Sequence, residues 1–484
     1  MKITDLKPEL VWKCFDEITK VPRPTHHLEK MLKFLTEWAE KHNIPYKTDE
    51  VGNVVMTAPA TPGHENAPTI ILQGHQDMVA EKRGDKIHDF LNDPITTIVD
   101  GEWVTADGTT LGADNGMGCA TAMAVLLDKD LVHGPIECLF TVDEEQGLIG
   151  ANGIQSGFVT GSILLNLDSE EHGQLVIGCA GGKVTVATLP YKKETPASGQ
   201  KYYRIHLNHF KGGHSGMEIG LGRGNANQQL ARFLWEMSQE MPLSIAEIDG
   251  GNLANAIPRE AWAVIGIPSD KAGILEKAAC EFSDMIHSEF ALAEGKDFTF
   301  TAESADVPET VIDRETSKNL IAAIFATPNG VQTMSNAIPG LIETSCNLAS
   351  VKMLAGEKIQ VTVHQRSSVD SRRDEIADRI KALYQIIGAS VEFEDSYVGW
   401  APNPESHILK VAESSFRDLF NIEPRVEALH AGLECGLFLE KMPKLDMISF
   451  GPTLKDIHSP SEKANIKSVA EFWEFLCEIL KRLA

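Results

Sequence analysis

Thr69-Ile70-Ile71-Leu72-Gln73-Gly74-His75-Gln76-Asp77 is an apolar run that delivers an imidazole and a carboxylate where it ends. A short continuous apolar stretch closed by Gly reads as a buried strand. The arrangement recurs outward along the chain. Leu139-Phe140-Thr141-Val142 delivers Asp143-Glu144-Glu145, and Ile163-Leu164-Leu165-Asn166-Leu167 delivers Asp168-Ser169-Glu170-Glu171. Met447-Ile448-Ser449-Phe450 leads through a short loop to Asp456-Ile457-His458. Leu111-Gly112-Ala113 reads as a further strand-like run that delivers Asp114-Asn115-Gly116, ahead of an Ala- and Met-rich helix over 117–127. Strands alternating with helices predict an α/β fold with a central, mostly parallel sheet flanked by helices.

The middle of the chain, 185–397, changes character. It opens on Lys201-Tyr202-Tyr203-Arg204-Ile205-His206-Leu207, which alternates at period two, and continues into a helical pattern over 227–238. Asn255-Ala256-Ile257-Pro258 recurs as Asn336-Ala337-Ile338-Pro339, and a strand-like stretch and then a helical pattern follow each copy. The middle is therefore expected to be an inserted α+β domain that is internally duplicated. The tail returns to the first pattern, with helices expected over 407–420, 432–440 and 469–483 and a strand over 446–450. Residues 1–184 and 398–484 then form one discontinuous domain carrying the acidic clusters.

Composition bounds the partners. With 43% hydrophobic and 23% charged residues in 484, disordered and fibrous classes drop out and two or three domains are expected. Lys and Arg number 44 against 69 Asp and Glu, a net charge of −25, which repels phosphate; neither nucleic acid nor an anionic membrane is an expected partner. No run approaches the ~18 apolar residues of a membrane helix, and the amino terminus lacks the basic start and apolar core of a signal peptide. The eight cysteines form no Cys-x-x-Cys pair and read as buried free thiols, so a reducing cytoplasm is expected.

The carboxyl ends of strands in an open α/β sheet line one crevice. Here that crevice would gather two imidazoles and at least five carboxylates. So many anions repel one another and raise their own pKa values. Divalent cations remove the difficulty. The mixed N/O donor set suits Zn²⁺, with Mn²⁺ or Co²⁺ as alternatives, and one bridging carboxylate would hold two ions about 3.5–4 Å apart. Each fragment alone has a blander reading. His-x-Asp is commonly a surface pair, Asp-Glu-Glu a solvated cluster, and Gly112–Gly118 lacks the spacing of a phosphate turn. Their common position after buried runs favours metal. Lys211-Gly212-Gly213-His214-Ser215-Gly216 also lacks phosphate-loop spacing. Arg366 follows a strand over 359–364, and His26-His27 reads as inert loop. No Gly-x-Ser-x-Gly supports a serine hydrolase.

These residues resemble the M20 family of di-zinc metallopeptidases over nearly the whole chain, and within it the aminoacyl-histidine (Xaa-His) dipeptidase and carnosinase branch. The likeness is carried by Gly74-His75-Gln76-Asp77, Gly112-Ala113-Asp114-Asn115-Gly116, Asp143-Glu144-Glu145-Gln146-Gly147, Asn166-Leu167-Asp168, Gly212-Gly213-His214-Ser215-Gly216 and His458-Ser459-Pro460. It implies that His75 and Asp168 bind one zinc, Glu145 and His458 the other, and that Asp114 bridges them. Asp77 would orient the His75 ring, and Glu144 would be the general base. The inserted domain is similar to the family's lid, which carries a dimer contact in many members, so a homodimer is expected. His214, Asn255 and Arg366 match lid positions that meet substrate. Gly432, in His430-Ala431-Gly432-Leu433-Glu434-Cys435-Gly436, matches a substrate loop of the catalytic domain. Asn336 stays open as the alternative to Asn255.

The function so implied is hydrolysis of dipeptides, preferring carboxy-terminal His and including β-alanyl-histidine. A water bridging two cations would yield its proton to Glu144 and attack the carbonyl. His214 would donate to the oxyanion and Arg366 would grip the terminal carboxylate. The His preference rests on the family likeness alone. The alternatives are an N-acyl amino acid deacylase or tripeptidase on the same scaffold, and a protein that binds metal or peptide without cleaving. Glu144 speaks against the last, since a binder needs no base beside its ligands.

Overall fold

The structure, a computed structural model, describes residues 1–484. Two compact units divide the chain: Met1–Gly178 with Pro402–Ala428 and Leu433–Ala484, and Cys179–Ala401 with Leu429–Gly432.

The first unit is built on an eight-stranded sheet in the order Tyr46–Thr48, Val54–Ala58, Ile136–Thr141, Ile70–His75, Ile163–Asn166, Asp446–Ser449, Gln174–Cys179, Arg425–Leu429. From Ile136–Thr141 to Asp446–Ser449 the strands run parallel, while Tyr46–Thr48 and Val54–Ala58 are antiparallel additions at one edge. Ile70–His75, Ile136–Thr141 and Ile163–Asn166 are buried at every position, which is why they read as mostly apolar runs without polar alternation. Amphipathic helices flank the sheet. In Glu29–His42 the buried residues are Met31, Leu35, Trp38 and Ala39, one stripe at helical spacing. Helix Ile466–Leu483 starts where the Asn465 side chain accepts from the Ser468 amide at 2.9 Å, and it buries Phe472, Phe475, Leu476 and Ile479.

One expected strand is absent. Residues 110–112 form a loop, and the helix over Ala113–Leu127 is kinked at its start, where Asp114 and Asn115 take non-helical angles, so the regular helix follows Asn115, close to the expected 117. Asp114 therefore sits at a helix entrance rather than a strand exit. The physical reason lies in the backbone donors of this loop, which bond a side-chain carboxylate instead of a neighbouring strand. Gly112 takes φ +69°, a left-handed conformation that Gly adopts without strain.

The second unit carries a nine-stranded sheet whose main path runs Thr299–Ala305, Gln200–Asn208, Ala261–Pro268, Ser244–Gly250, Ile342–Leu354, Lys358–Ser367, Gly181–Pro190, Ser390–Tyr397. Read outward from the pairing of Gly250 with Val351, its halves have the same winding. One runs Gln200–Asn208, helix Ala226–Glu240, Ser244–Gly250, Ala261–Pro268, helix Ala272–Phe290, Thr299–Ala305. The other begins with Gly181–Pro190 and resumes after the first half with helix Arg314–Ala326, Ile342–Leu354, Lys358–Ser367, helix Asp370–Ile386 and Ser390–Tyr397. The tetrapeptide echo is not the mark of this duplication. Asn255 lies between the second and third strands of its half, whereas Asn336 precedes Ile342–Leu354, the second strand of the other. Helices and sheet close over a core that includes Phe210, Phe233, Leu234, Ile265, Phe282, Leu348 and Tyr384.

Candidate metal centre

The parallel strands set the first group of ligand candidates. His75 is the last residue of its strand and is 1% exposed. Its Nε2 lies 3.2 Å from Asp114 Oδ1 and 3.4 Å from Asp168 Oδ1, and its Nδ1 lies 3.3 Å from Asp77 Oδ1. The other Asp114 oxygen, Oδ2, is 3.1 Å from His458 Nε2, which stands 3.0 Å from Glu145 Oε2. Three sets of side chains are close enough to share an ion: His75, Asp114 and Asp168; Asp114, Glu145 and His458; and His75, Glu144 and Glu145. Asp114 thus offers one oxygen to each of two histidines. All five sequence-predicted ligands converge, with Asp77 and Glu144 beside them.

The electrostatics show what the cluster lacks. Burial and the charges of Asp114 and Glu145 push Asp168 up to about 6, His75 opposing. Glu144 is raised well above the ordinary carboxyl range by burial, by Asp168 and by Glu434, against the pull of His75. Burial opposes charge on His75, but Asp168, Asp114 and Asp77 outweigh it and hold its pKa well above the usual value. His458, bonded to Asp114 and Glu145, rises to about 10. Protons on the two rings stand where positive charge is needed. Glu145 Oε1 is meanwhile buried with no hydrogen-bond partner. Imidazole and carboxylate donors converging on a shared Asp, with positive charge in demand, fit a pair of divalent ions.

Neighbours hold this set in place. Asp77, fully buried, accepts from the Glu144 amide at 3.0 Å, the Glu145 amide at 3.3 Å and the Thr25 hydroxyl at 3.0 Å. Burial would protonate it, yet His75, the Glu144 amide and Thr25 keep its pKa below the ordinary value. The loop carrying Asp143-Glu144-Glu145 is also braced by His26, whose amide donates to Asp143 Oδ1 at 2.6 Å and whose Nε2 meets Gln146 Oε1 at 3.0 Å. This corrects the reading of His26 as inert.

Several supporting residues went unread in the sequence. Buried Arg23 donates to the carbonyls of Gln76 at 2.9 Å, Asp77 at 2.6 Å and Gly112. One layer below the ligands, Gln73 accepts from Asn166 at 2.6 Å and donates to Thr141 at 3.1 Å and to Glu434 at 2.6 Å. Burial and the Asp168 charge push Glu434 up to about 8. Gln73 and Asn166 were findable, since each is a polar residue two positions before a candidate ligand in a mostly apolar strand. Arg23 left no comparable signal.

The four remaining candidates belong to the second unit. The His214 Nδ1 accepts from the amides of Gly216 at 3.2 Å and Met217 at 3.0 Å, so in the neutral ring the proton belongs on Nε2. Arg366 lies inside strand Lys358–Ser367 rather than after it; it is 4% exposed, and its Nη1 donates to the Tyr397 hydroxyl at 2.8 Å. Two buried rings join it. Burial, then the Arg366 charge, pushes both His364 and His430 down to about 3 and lowers His214 as well. His430 Nε2 is 2.7 Å from Ser345 Oγ. Leu429–Gly432, expected with the catalytic segments, groups instead with this unit, where the Ala180 amide donates to the Leu429 and Ala431 carbonyls at 3.0 Å. A Cβ on Gly432 would come within 2.9 Å of the Tyr397 ring. Asn255 and Asn336 are both exposed, and the Asn255 carbonyl accepts from the Ser215 amide at 2.8 Å, tying it to the His214 loop.

A parallel sheet that converges imidazoles and carboxylates at its strand ends has the make-up of a metal-dependent hydrolase. Residues 71–482 match the family described as Peptidase family M20/M25/M40. Over 482 residues the chain is 39% identical to the cytosol non-specific dipeptidase of Escherichia coli (strain K12), spanning 100% of this chain and 99% of that one. The crystal structure of aminoacylhistidine dipeptidase from Vibrio alginolyticus is similar with a TM-score of 0.94 at 40% identity, over 100% of this chain and 98% of that one. Likeness to aminopeptidase PepT from Bacillus cereus ATCC 10987, with a TM-score of 0.57 at 16% identity over 99% of each chain, extends to the fold alone. The chain belongs to peptidase family M20 and is a hydrolase.

Proposed function

We propose that this protein is a cytoplasmic, homodimeric two-zinc dipeptidase that prefers carboxy-terminal His, including β-alanyl-histidine. The observation that carries the metal chemistry is Asp114, whose two carboxylate oxygens face His75 and His458 separately. The peptide-bond chemistry is supported by the dipeptidase names of both full-length relatives. Those names differ in breadth, one non-specific and one aminoacylhistidine, so the His preference is the part most in need of test.

His75 and Asp168 would hold one ion, Glu145 and His458 the other, and Asp114 both. When bound, the ions supply Lewis acidity toward the scissile carbonyl and a lowered pKa for water. Asp77 fixes the His75 ring through Nδ1, leaving Nε2 for the metal. Glu144 accepts the proton of the attacking water and returns it to the departing amine. The neighbouring anions that raise its pKa also make it a stronger base. His214, protonated on Nε2, donates to the developing oxyanion. Arg366 pairs with the substrate's terminal carboxylate, which fixes the register at one peptide bond. Asn255 offers a polar contact from the His214 loop, and Gly432 keeps space beside Tyr397.

The test is a substrate panel on purified, zinc-loaded protein with and without chelator. It should include Xaa-His dipeptides, β-alanyl-histidine, other dipeptides, tripeptides and N-acetyl amino acids. Rapid chelator-sensitive cleavage of Xaa-His above the rest is expected. Preference for N-acetyl amino acids or tripeptides would replace the dipeptidase reading, and no cleavage at all would leave a binding protein.

A further inference from the structure

We propose that Glu462 is a positioning residue for the metal centre: it fastens the loop carrying His458 to the loop presenting Asp114, and thereby sets the spacing of the two ligand groups. The inference rests on the two-ion reading above.

The Glu462 side chain is 2% exposed and accepts four backbone N–H groups. Leu111 and Gly112 donate to Oε2 at 2.8 and 3.0 Å, and Ala113 and Asp114 donate to Oε1 at 2.7 and 3.3 Å. These are the donors that a strand ladder or a longer helix would otherwise occupy. Withdrawing a carboxylate from water is costly, and several charge-assisted bonds offset that cost only while the loop holds one conformation. Arg23 meets the Gly112 carbonyl in the same stretch, so a side-chain acceptor and a side-chain donor together define it.

The other end of the tether is as closely held. The Glu462 amide donates to the Ser459 carbonyl at 3.1 Å, and its own carbonyl accepts from Thr105 Oγ1 at 2.9 Å. Asp456 and His458 both take left-handed backbone angles, φ +54° and +57°, an uncommon conformation that Asp and His adopt more readily than most non-glycine residues. His458 lies four residues before Glu462 and is itself half exposed. The loop is closed on itself by the pairing of Leu454 with Ala464 and Lys455 with Lys463 and by the Ser459 hydroxyl, which donates to the Asp456 carbonyl at 2.6 Å; Glu462 ties that closed loop to residues 111–114. Glu462 bonds the amide of Asp114 rather than its carboxylate, so the ligand oxygens stay free for metal.

Full-length Glu462→Gln and Glu462→Asp proteins provide the test, read by equilibrium dialysis against buffered Zn²⁺, by the visible spectrum of the Co²⁺ form, and by far-UV circular dichroism and melting of the metal-free chain. In Glu462→Gln one carboxylate oxygen becomes an NH₂ facing amide donors. It is expected to fold but to bind one of its two ions about 10–100-fold more weakly, with an altered Co²⁺ spectrum. Glu462→Asp, keeping the charge with a shorter reach, should recover part of that loss. Unchanged affinity for both ions in Glu462→Gln overturns the proposal, whatever its melting temperature. Loss of the metal-free fold in both variants also overturns it, since Glu462 would then serve general stability. A wild-type chain that takes up fewer than two ions removes the two-ion reading first; two ions in wild type with indifferent variants sinks the tether alone.

Discussion

In the first unit, His75 and His458 stand against carboxylates that raise their pKa values, His458 to about 10. In the second, burial and the charge of the buried Arg366 guanidinium push His364 and His430 down to about 3. One residue type thus serves opposite electrostatics. The first environment is short of positive charge and suits cations. The second sets the permanent charge of Arg366 near rings kept neutral, and suits an anion such as a carboxylate. His214 belongs with the second group, lowered by burial and Arg366, which leaves a neutral N–H donor rather than an imidazolium.

The contrast can be broken from either side. Asp114→Ala should have the largest effect, releasing both ions and abolishing hydrolysis while the second unit keeps its fold. Metal analysis with circular dichroism checks it, and retention of two ions would refute the shared-ligand role. Glu144→Gln should lower kcat by about 10²–10⁴-fold with zinc content unchanged. A parallel loss of zinc would make Glu144 a ligand, as its grouping with His75 and Glu145 allows. Arg366→Lys attacks the anion side. A lysine cannot reproduce the planar fork, so KM for dipeptides should rise by about ten- to a hundred-fold with metal content intact. Equal KM for dipeptides and their carboxy-terminal amides in the wild type would remove Arg366 from carboxylate recognition.

The smallest effect is a pH slope. His364 and His430 have folded pKa values depressed to about 3 from an ordinary 6.5. Between those limits the unfolded chain binds protons that the folded chain refuses. Their contribution to stability is therefore complete above about 6.5 and declines as pH falls toward 3. His364→Gln should reduce the slope of stability against pH by about one proton in that window, measured from urea midpoints of the metal-free protein. An unaltered slope would mean that His364 is protonated in the fold.

How far the sequence could be read depended on which atoms carry each interaction. His75, Asp168 and the Glu144-Glu145 pair were legible because buried parallel strands are near-continuous apolar runs, and a charged residue at such an exit is conspicuous. Asp114 was found for a partly mistaken reason, since its loop resembled a strand by composition. Glu462 and Arg23 were not legible at all. Their partners are backbone amides and carbonyls, which every residue offers, so no pattern of side chains announces them. Leu429–Gly432 was assigned by its place in the chain, while its hydrogen bonds to Ala180 and Ser345 are contacts of long sequence separation.

The amino-acid order by itself determined the α/β class, the candidate metal-ligating residues and the family, because each is written in side-chain type at local spacing. Only the tertiary structure decided that Asp114 turns one oxygen to each histidine, that Glu462 gathers four amides beside it, and that the charge of Arg366 bears on three imidazoles. Those outcomes depend on distances between residues remote in the chain. Folding sets such distances through burial and backbone hydrogen bonding, which composition and spacing do not encode.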